Sequence, residues 1–332
     1  MADRKKNAFF FQTQFLIFLF FVLLFPLFFR SPFFLNLMIF IGINTIVAVG
    51  LNLLMGYAGQ VSLGQGAFYG LGAYSSGILT AKFGLPFLYS FFIAILIVAV
   101  VAFIIGLPTL RLKGYYLAMV TLGFAVIAYI LFVEVNFLTG GHEGLVGIPY
   151  LSVFNLKFNT DLKYYYLVWV FDAIIIFISL NIVNSSVGRI LRAIQGNELA
   201  AQMMGVNVWM RKVEIFVISA IYAGIAGTLY AHYITYLSPG AFSLEFSILI
   251  LAMVVVGGMT RIWGGVWGAL ILTILPELLR AFKGFNTVIY GLIIMLVIIM
   301  MPGGVSEALD KVNLKFLHVV SRILLKKKNK FV

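Results

Sequence analysis

Apolar runs of membrane-crossing length recur along nearly the whole chain, and they constrain its fold more than any other feature. A helix needs ~20 mostly apolar residues to cross a bilayer. Runs of that order lie at about 8–29, 33–55, 64–81, 87–107, 116–135, 164–183, 213–235, 246–258, 264–280 and 286–301. Of the 332 residues, 63% are hydrophobic and 10% are charged. Soluble domains run at roughly 45–50% apolar and ~25% charged. The excess here has no interior to fill and must face lipid. No long alternation of polar and apolar residues suggests a β-barrel. The expected fold is therefore an all-α integral membrane protein of about ten transmembrane helices, in one domain over 1–332. The third, eighth and tenth runs are short and are expected to be tilted, broken or re-entrant.

The first run follows Arg4-Lys5-Lys6 and begins like a signal peptide. It is too long for a signal core, and bulky Phe stands where a small-residue cleavage site belongs, so it reads as a first membrane helix.

Charge sets the expected orientation. The net charge is +12, but the cations sit at the ends of apolar runs, which points to membrane topology rather than nucleic acid. With the N-terminus inside, the inner segments hold Arg4, Lys5, Lys6, Arg111, Lys113, Arg189, Arg192, Arg211, Lys212, Arg261 and seven basic residues beyond Pro302, 17 in all. The outer segments hold Arg30, Lys82, Lys157, Lys163, Arg280 and Lys283, which is 6. Cytoplasmic loops carry the Lys/Arg excess, so both termini are expected in the cytoplasm. That leaves a short inner N-terminus (1–7), an inner hydrophilic segment (184–212) and a basic inner tail (303–332). The tail sequence Lys326-Lys327-Lys328-Asn329-Lys330 is either a solvated terminus or a site of attraction for anionic lipid.

Several chemistries are excluded. There is no cysteine, hence no disulfide or thiolate metal site. His142, His232 and His318 show no ligand spacing. No G-x-x-x-x-G-K-[ST] phosphate loop, H-E-x-x-H or G-x-S-x-G is present, so neither ATP hydrolysis by that machinery nor membrane hydrolysis is expected in this chain. Asp172 is the one acid placed towards the middle of a run, where it should face protein or water.

Two stretches stand out. Between Met55 and Ala73, six glycines fall at 56, 59, 64, 66, 70 and 72, interleaved with Gln60, Ser62 and Gln65. Glycine allows close helix packing in lipid. It also allows an unwound segment, tolerated at membrane depth only inside protein or beside a water-filled cavity. The stretch thus reads either as packing or as a hairpin lining a translocation path, with Tyr57, Gln60, Ser62, Gln65 and Tyr69 as the path-lining candidates. Within the inner segment, 197–205 reads as a short amphipathic helix ended by Gly205. It suits either a partner's groove or the lipid interface. Arg111-Leu112-Lys113-Gly114-Tyr115-Tyr116 reads as an interface anchor. A weak internal echo links Leu63–Ala67 with Gly264–Ala269, each opening an apolar run.

GYAGQVSLGQGAFYGLGAY at 56–74 resembles the signature of permeases of branched-chain amino acid ABC importers. RLKGYYLAMVTLGF (111–124), TGGHEGLVGIP (139–149), GRILRAIQGNELAAQMMGVNV (188–208), AIYAGIAGTLYAHYITYLSPGAF (220–242) and MVVVGGMTRIWGGVWGA (253–269) follow in the family's order. The likeness is to the LivM type, with permeases of urea importers similar throughout. Gln195-Gly196-Asn197 departs from the Arg-Glu-Asn pattern of such relatives. The resemblance implies an importer permease core in a prokaryotic inner or plasma membrane. It implies a second permease subunit, two ATP-binding subunits and an extracytoplasmic substrate-binding protein as partners. No cofactor is expected in this chain, with ATP and Mg on the partner subunits. The 188–212 segment becomes the coupling element, with Arg192, Glu198, Ala201 and Gly205 as its key positions. The implied cargo is a branched-chain or other hydrophobic amino acid. The rival readings are a urea or short-amide importer and an ion-coupled secondary transporter.

Overall fold

In the computed structural model, residues 2–153, 156–279, 286–301 and 303–307 are described, and the basic tail read above lies almost wholly outside them. Every predicted apolar run coincides with a helix. These are α1 (Ala2–Phe28), α2 (Pro32–Asn52), α3 (Gln65–Ala81), α4 (Phe87–Thr109), α5 (Tyr115–Glu134), α7 (Asp161–Asn184), α10 (Val208–Ile234), α11 (Leu244–Gly257), α12 (Ile262–Leu279) and α13 (Asn286–Met300). Three short helices lie between them: α6 (Asn136–Thr139), α8 (Ser186–Gly196) and α9 (Glu198–Met203). Among the described residues, six helical stretches are long and apolar enough to cross a membrane: Pro32–Tyr57, α4, α5, α7, α10 and α12. The apolar parts of α1, α11 and α13 are shorter, and α3 spans 17 residues, seeded with glycine.

α2 and α10 form the centre, and burial separates them from the rim. The apolar window of α2 is 83% buried and that of α10 67%, against 33% for α4 and for α5. α2 packs on α7, α10, α11 and α12, while α10 packs on α2, α3 and α4. The rim helices keep large side chains such as Phe92, Leu96, Ile104, Met119 and Ile127 outside, as lipid-facing surfaces require.

Apolar burial gives little net drive between helices in lipid, so close backbone approach matters more. α3 and α10 meet through small residues. Gly72 lies against the backbone of Gly224, and Gly227 against the Tyr69 carbonyl, so no side chain fits at either glycine. Gly66 faces Ser247 on α11, and Gly70 faces Phe132 and Phe242. Gly268 packs on the Met253 backbone, also on α11. In each of the two echoing stretches one glycine, Gly66 or Gly268, lets its helix approach α11, while Gly265 meets the α2 backbone at Val49.

Polar side chains add cross-links. Asn44 Nδ2 donates to Thr273 Oγ1 at 3.0 Å, and Asn52 Nδ2 to the Arg261 carbonyl at 2.6 Å. The Tyr165 hydroxyl donates to the Val22 carbonyl at 2.9 Å, fastening α1 to α7. Asp172 is fully buried against Gly42 of α2, so it faces protein, as the sequence requires.

The all-α expectation is modified only in the loops. β1 (Leu145–Val146) pairs antiparallel with β4 (Tyr236–Leu237), and β2 (Ser152–Val153) with β3 (Leu156–Lys157). These ribbons satisfy loop backbone groups at the end of the bundle far from α8 and α9. His232 ties that loop to the bundle. The Pro149 carbonyl only accepts, so His232 Nδ1 donates to it at 2.9 Å, and Nε2 accepts from Ser76 Oγ at 2.8 Å.

Candidate coupling surface and translocation path

The inner segment folds into a small unit with its own core. Ser185 caps α8, accepting from the Val187 amide at 3.1 Å. Asn197 caps α9 through the Ala200 amide at 3.1 Å, and Asn207 caps α10 through the Met210 amide at 3.1 Å. Capping side chains take up backbone donors that a helix start leaves free. Gly205 has φ +79°, a left-handed conformation that costs any side-chain-bearing residue, and it ends the α9 turn. The expected helix at 197–205 is therefore present as α9 with its cap and stop. Charged 208–212 belongs to α10, because the Asn207 cap starts that helix earlier than hydropathy alone suggests.

Ala201 is buried with Ile194 and Val208 in a cluster separate from the main core. Arg192 Nη2 donates to the Val183 carbonyl at 3.1 Å, closing the end of α7 onto α8. Opposite this cluster the surface is apolar and bare. Leu199 is 65% exposed, Met203 90% and Met204 84%. Methionine side chains adapt readily to a partner's surface.

The unit is pinned to the bundle by charge. Lys212, on α10 and 2% exposed, donates to Glu198 Oε1 on α9. Lys113, from the α4–α5 loop, stands 3.5 Å from Glu198 Oε2. Burial pushes the Glu198 carboxyl up, but the Lys212 hydrogen bond and charge, joined by Lys113, outweigh it and hold the group below its ordinary value. Arg111 lies 5.1 Å over the Trp209 ring, and Trp209 Nε1 donates to the Leu107 carbonyl at 3.1 Å. The RLKGYY loop is thus more than an interface anchor. Tyr115 and Tyr116 are exposed and stacked, while Arg111 and Lys113, also exposed, reach Trp209 of α10 and Glu198 of α9.

The glycine hairpin forms as an unwound turn. After α2 the chain widens into a π-helical turn (Leu53–Tyr57), then runs irregularly to α3. Gly56 lies against the Met259 carbonyl, leaving no space for a side chain, and Gly59 has φ +66° beside Gln195 of α8. The five path candidates gather here, all buried within the chain. Gln65 Nε2 donates to Ser219 Oγ at 2.9 Å, and Ser62 Oγ accepts from the Gly64 amide at 3.3 Å. Tyr69 stacks on Phe246 at 4.6 Å, and Tyr57 is enclosed near the end of the turn. Gln60 Nε2 donates to the Ala58 carbonyl at 2.9 Å. The amide oxygens of Gln60 and Gln65 are buried without a hydrogen-bond partner, which asks for water or another polar group. Sequence reasoning missed Lys212 as the buried cation, since nothing in Arg211-Lys212 distinguishes the two. It also missed a cavity at the far end of the bundle, beside Asn36, Asp161 and Tyr233.

Six membrane-length helices around a polar-seamed core define a multi-pass membrane protein. A bare apolar knob, Leu199 with Met203 and Met204, is held on one end of it by the Glu198–Lys212 pair. The family model for the permease component of branched-chain amino acid transport systems matches residues 33–302, and the chain belongs to that family. It is 34% identical to the high-affinity branched-chain amino acid transport system permease protein LivM of Escherichia coli, over 79% of this chain and 67% of that protein. The Salmonella typhimurium protein of the same name is 33% identical over the same shares. A probable branched-chain amino acid transport permease of Methanocaldococcus jannaschii is 24% identical over 74% of this chain and 81% of its own length. No solved structure matches the chain. The localisation that follows is a prokaryotic cell membrane.

Proposed function

We propose that this chain is the permease subunit of an ATP-driven importer for branched-chain or other hydrophobic amino acids. All ten apolar helices cross the membrane in this reading, with both termini in the cytoplasm and α8 and α9 on the cytoplasmic face. The loop-charge asymmetry supports that orientation. ATP hydrolysis takes place on two partner subunits, a second permease completes the path, and an extracytoplasmic protein delivers the substrate.

One observation carries the coupling role. The exposed Leu199, Met203 and Met204 are mounted on a helix whose Glu198 is ion-paired to buried Lys212. A partner seated on that knob pulls on α9, and the ion pair passes the pull to α10. Arg192, Ala201 and Gly205 keep the knob in shape. Tyr57, Gln60, Ser62, Gln65 and Tyr69 belong to the path region in this reading, supported by the unwound backbone and the two unpartnered amide oxygens.

The test is reconstitution of the chain with the second permease, the ATPase subunits and the binding protein in proteoliposomes. Leucine uptake that needs internal ATP is expected. Uptake by this chain alone, driven by an ion gradient, overturns the reading.

A further inference from the structure

A cavity of about 270 Å³ opens where the N-terminal ends of α2 and α7 meet the C-terminal end of α10, remote from the coupling unit. Its polar centre is Asp161. Oδ1 lies 3.3 Å from the Tyr233 hydroxyl and Oδ2 lies 3.4 Å from Asn36 Nδ2, both long for hydrogen bonds. The tyrosine donor has a closer acceptor elsewhere. Tyr233 has a single hydroxyl proton and makes its closer contact with Asn36 Oδ1. Asn36 Nδ2 carries two protons, one donated to the Pro32 carbonyl at 2.9 Å and the other left for its long contact with Asp161. Among the described residues no Lys, Arg or His lies within ion-pair distance of Asp161. The carboxylate therefore keeps most of its acceptor capacity unused beside an empty space.

Four aromatic residues border it, Tyr150, Phe158, Tyr164 and Tyr233, together with polar Asn159 and Thr160. The Tyr164 hydroxyl is spent on the Leu229 carbonyl at 2.5 Å and its ring is buried against Tyr233, which leaves Tyr150, Phe158 and Tyr233 as the more open rings. A carboxylate with no counter-cation among the described residues, set beside aromatic rings, suits an organic ammonium group through charge-assisted hydrogen bonds and cation–π attraction. The volume lies just under the ~300–1,000 Å³ of ordinary ligand pockets, which restricts the guest to one small molecule.

We infer that this cavity binds a small primary ammonium compound with an apolar tail, the class that includes apolar α-amino acids. Asp161 accepts the ammonium group, and the aromatic side chains hold the tail. The inference rests on the importer reading, which places the cavity on the extracytoplasmic side. It makes the permease itself a second point of selection after the binding protein.

The test uses the reconstituted transporter complex in lipid nanodiscs, without binding protein or ATP, and calorimetric titration. The probes are L-leucine, 3-methylbutylamine, which lacks the carboxylate, and 4-methyl-2-hydroxypentanoate, which has a hydroxyl in place of the ammonium. Saturable binding of leucine and the amine is expected, with none of the hydroxy acid. Asp161→Asn should weaken both by roughly 10-fold or more, the scale of one charge-assisted contact. Tyr150→Ala, at an exposed wall position, should weaken both as well and serves if Asp161→Asn misfolds. Absence of saturable binding, equal binding of the hydroxy acid, or unchanged affinity in a folded Asp161→Asn complex overturns the inference. ATP-driven leucine uptake by a complex that shows no such binding removes this site alone; uptake that ignores the ATPase subunits removes the importer reading instead.

Discussion

Lys212 and Glu198, fourteen positions apart and on different helices, form an ion pair in which the lysine is almost wholly buried. Removing one partner leaves the other's charge poorly solvated, at a cost of ~1–3 kcal/mol. Glu198→Lys goes further and places three lysines together. We expect that variant to fold and insert, yet to lose uptake by about an order of magnitude while partner ATPase activity persists. Parallel uptake and ATPase assays on reconstituted complexes check this; normal uptake would remove Glu198 from coupling.

The same pair predicts a pH dependence. The Glu198 carboxyl is held below its ordinary value of 4.5, so the ionised form stabilises α9 docking. That contribution is complete above the ordinary value and fades as pH falls below it through the folded-state value. Hydrogen exchange of the 198–205 amides should therefore show constant protection from neutral pH down to about 4.5, and loss below that. Protection that falls between pH 7 and 5 would point to a different group.

Gly205→Pro should break the α9 stop. Proline fixes φ near −65°, whereas Gly205 needs +79°. It also deletes the amide that donates to the Gln202 carbonyl at 2.9 Å. Gly205→Ala keeps the amide and pays only the left-handed strain, about 1–2 kcal/mol. Uptake should fall in the order wild type, alanine, proline, and equal uptake in all three would dismiss the stop as a functional feature.

Glycines in this chain should separate into two classes by thermal unfolding in detergent. Gly72→Leu forces a side chain into the Gly224 backbone, and overpacking costs ~1–3 kcal/mol or more. Gly123→Ala, in mid α5 with nothing within 4 Å, should be neutral or stabilising by up to ~1 kcal/mol. A Gly72→Leu protein as stable as wild type would show that α3 and α10 are less closely fitted than the structure has them.

The helices were legible because lipid imposes one rule on every crossing segment, and apolar length reports it directly. The short helix ended by Gly205 was legible as α9 for local reasons, since a helix stop depends on near neighbours. The ion pair was not, because Lys212 and Glu198 meet only through the fold around Gly205. The hairpin's glycines announced close packing, but which helix each would meet depended on the arrangement of α10 and α11. Asp161, Asn36 and Tyr233 are spread across nearly 200 positions, and no pattern within any one segment marks them as neighbours.

The fit of Gly72 to Gly224 and of Gly227 to Tyr69 has a mechanical meaning. Two helices whose backbones touch cannot slide or tilt against each other without opening a void, which a close-packed interior resists. α3 and α10 therefore behave as a single strut. A load applied at Lys212 reaches Tyr233, at the opposite end of the same helix, with little lost to bending on the way. Any change of shape is left to the joints outside that pair, such as the irregular backbone between Tyr57 and Gln65.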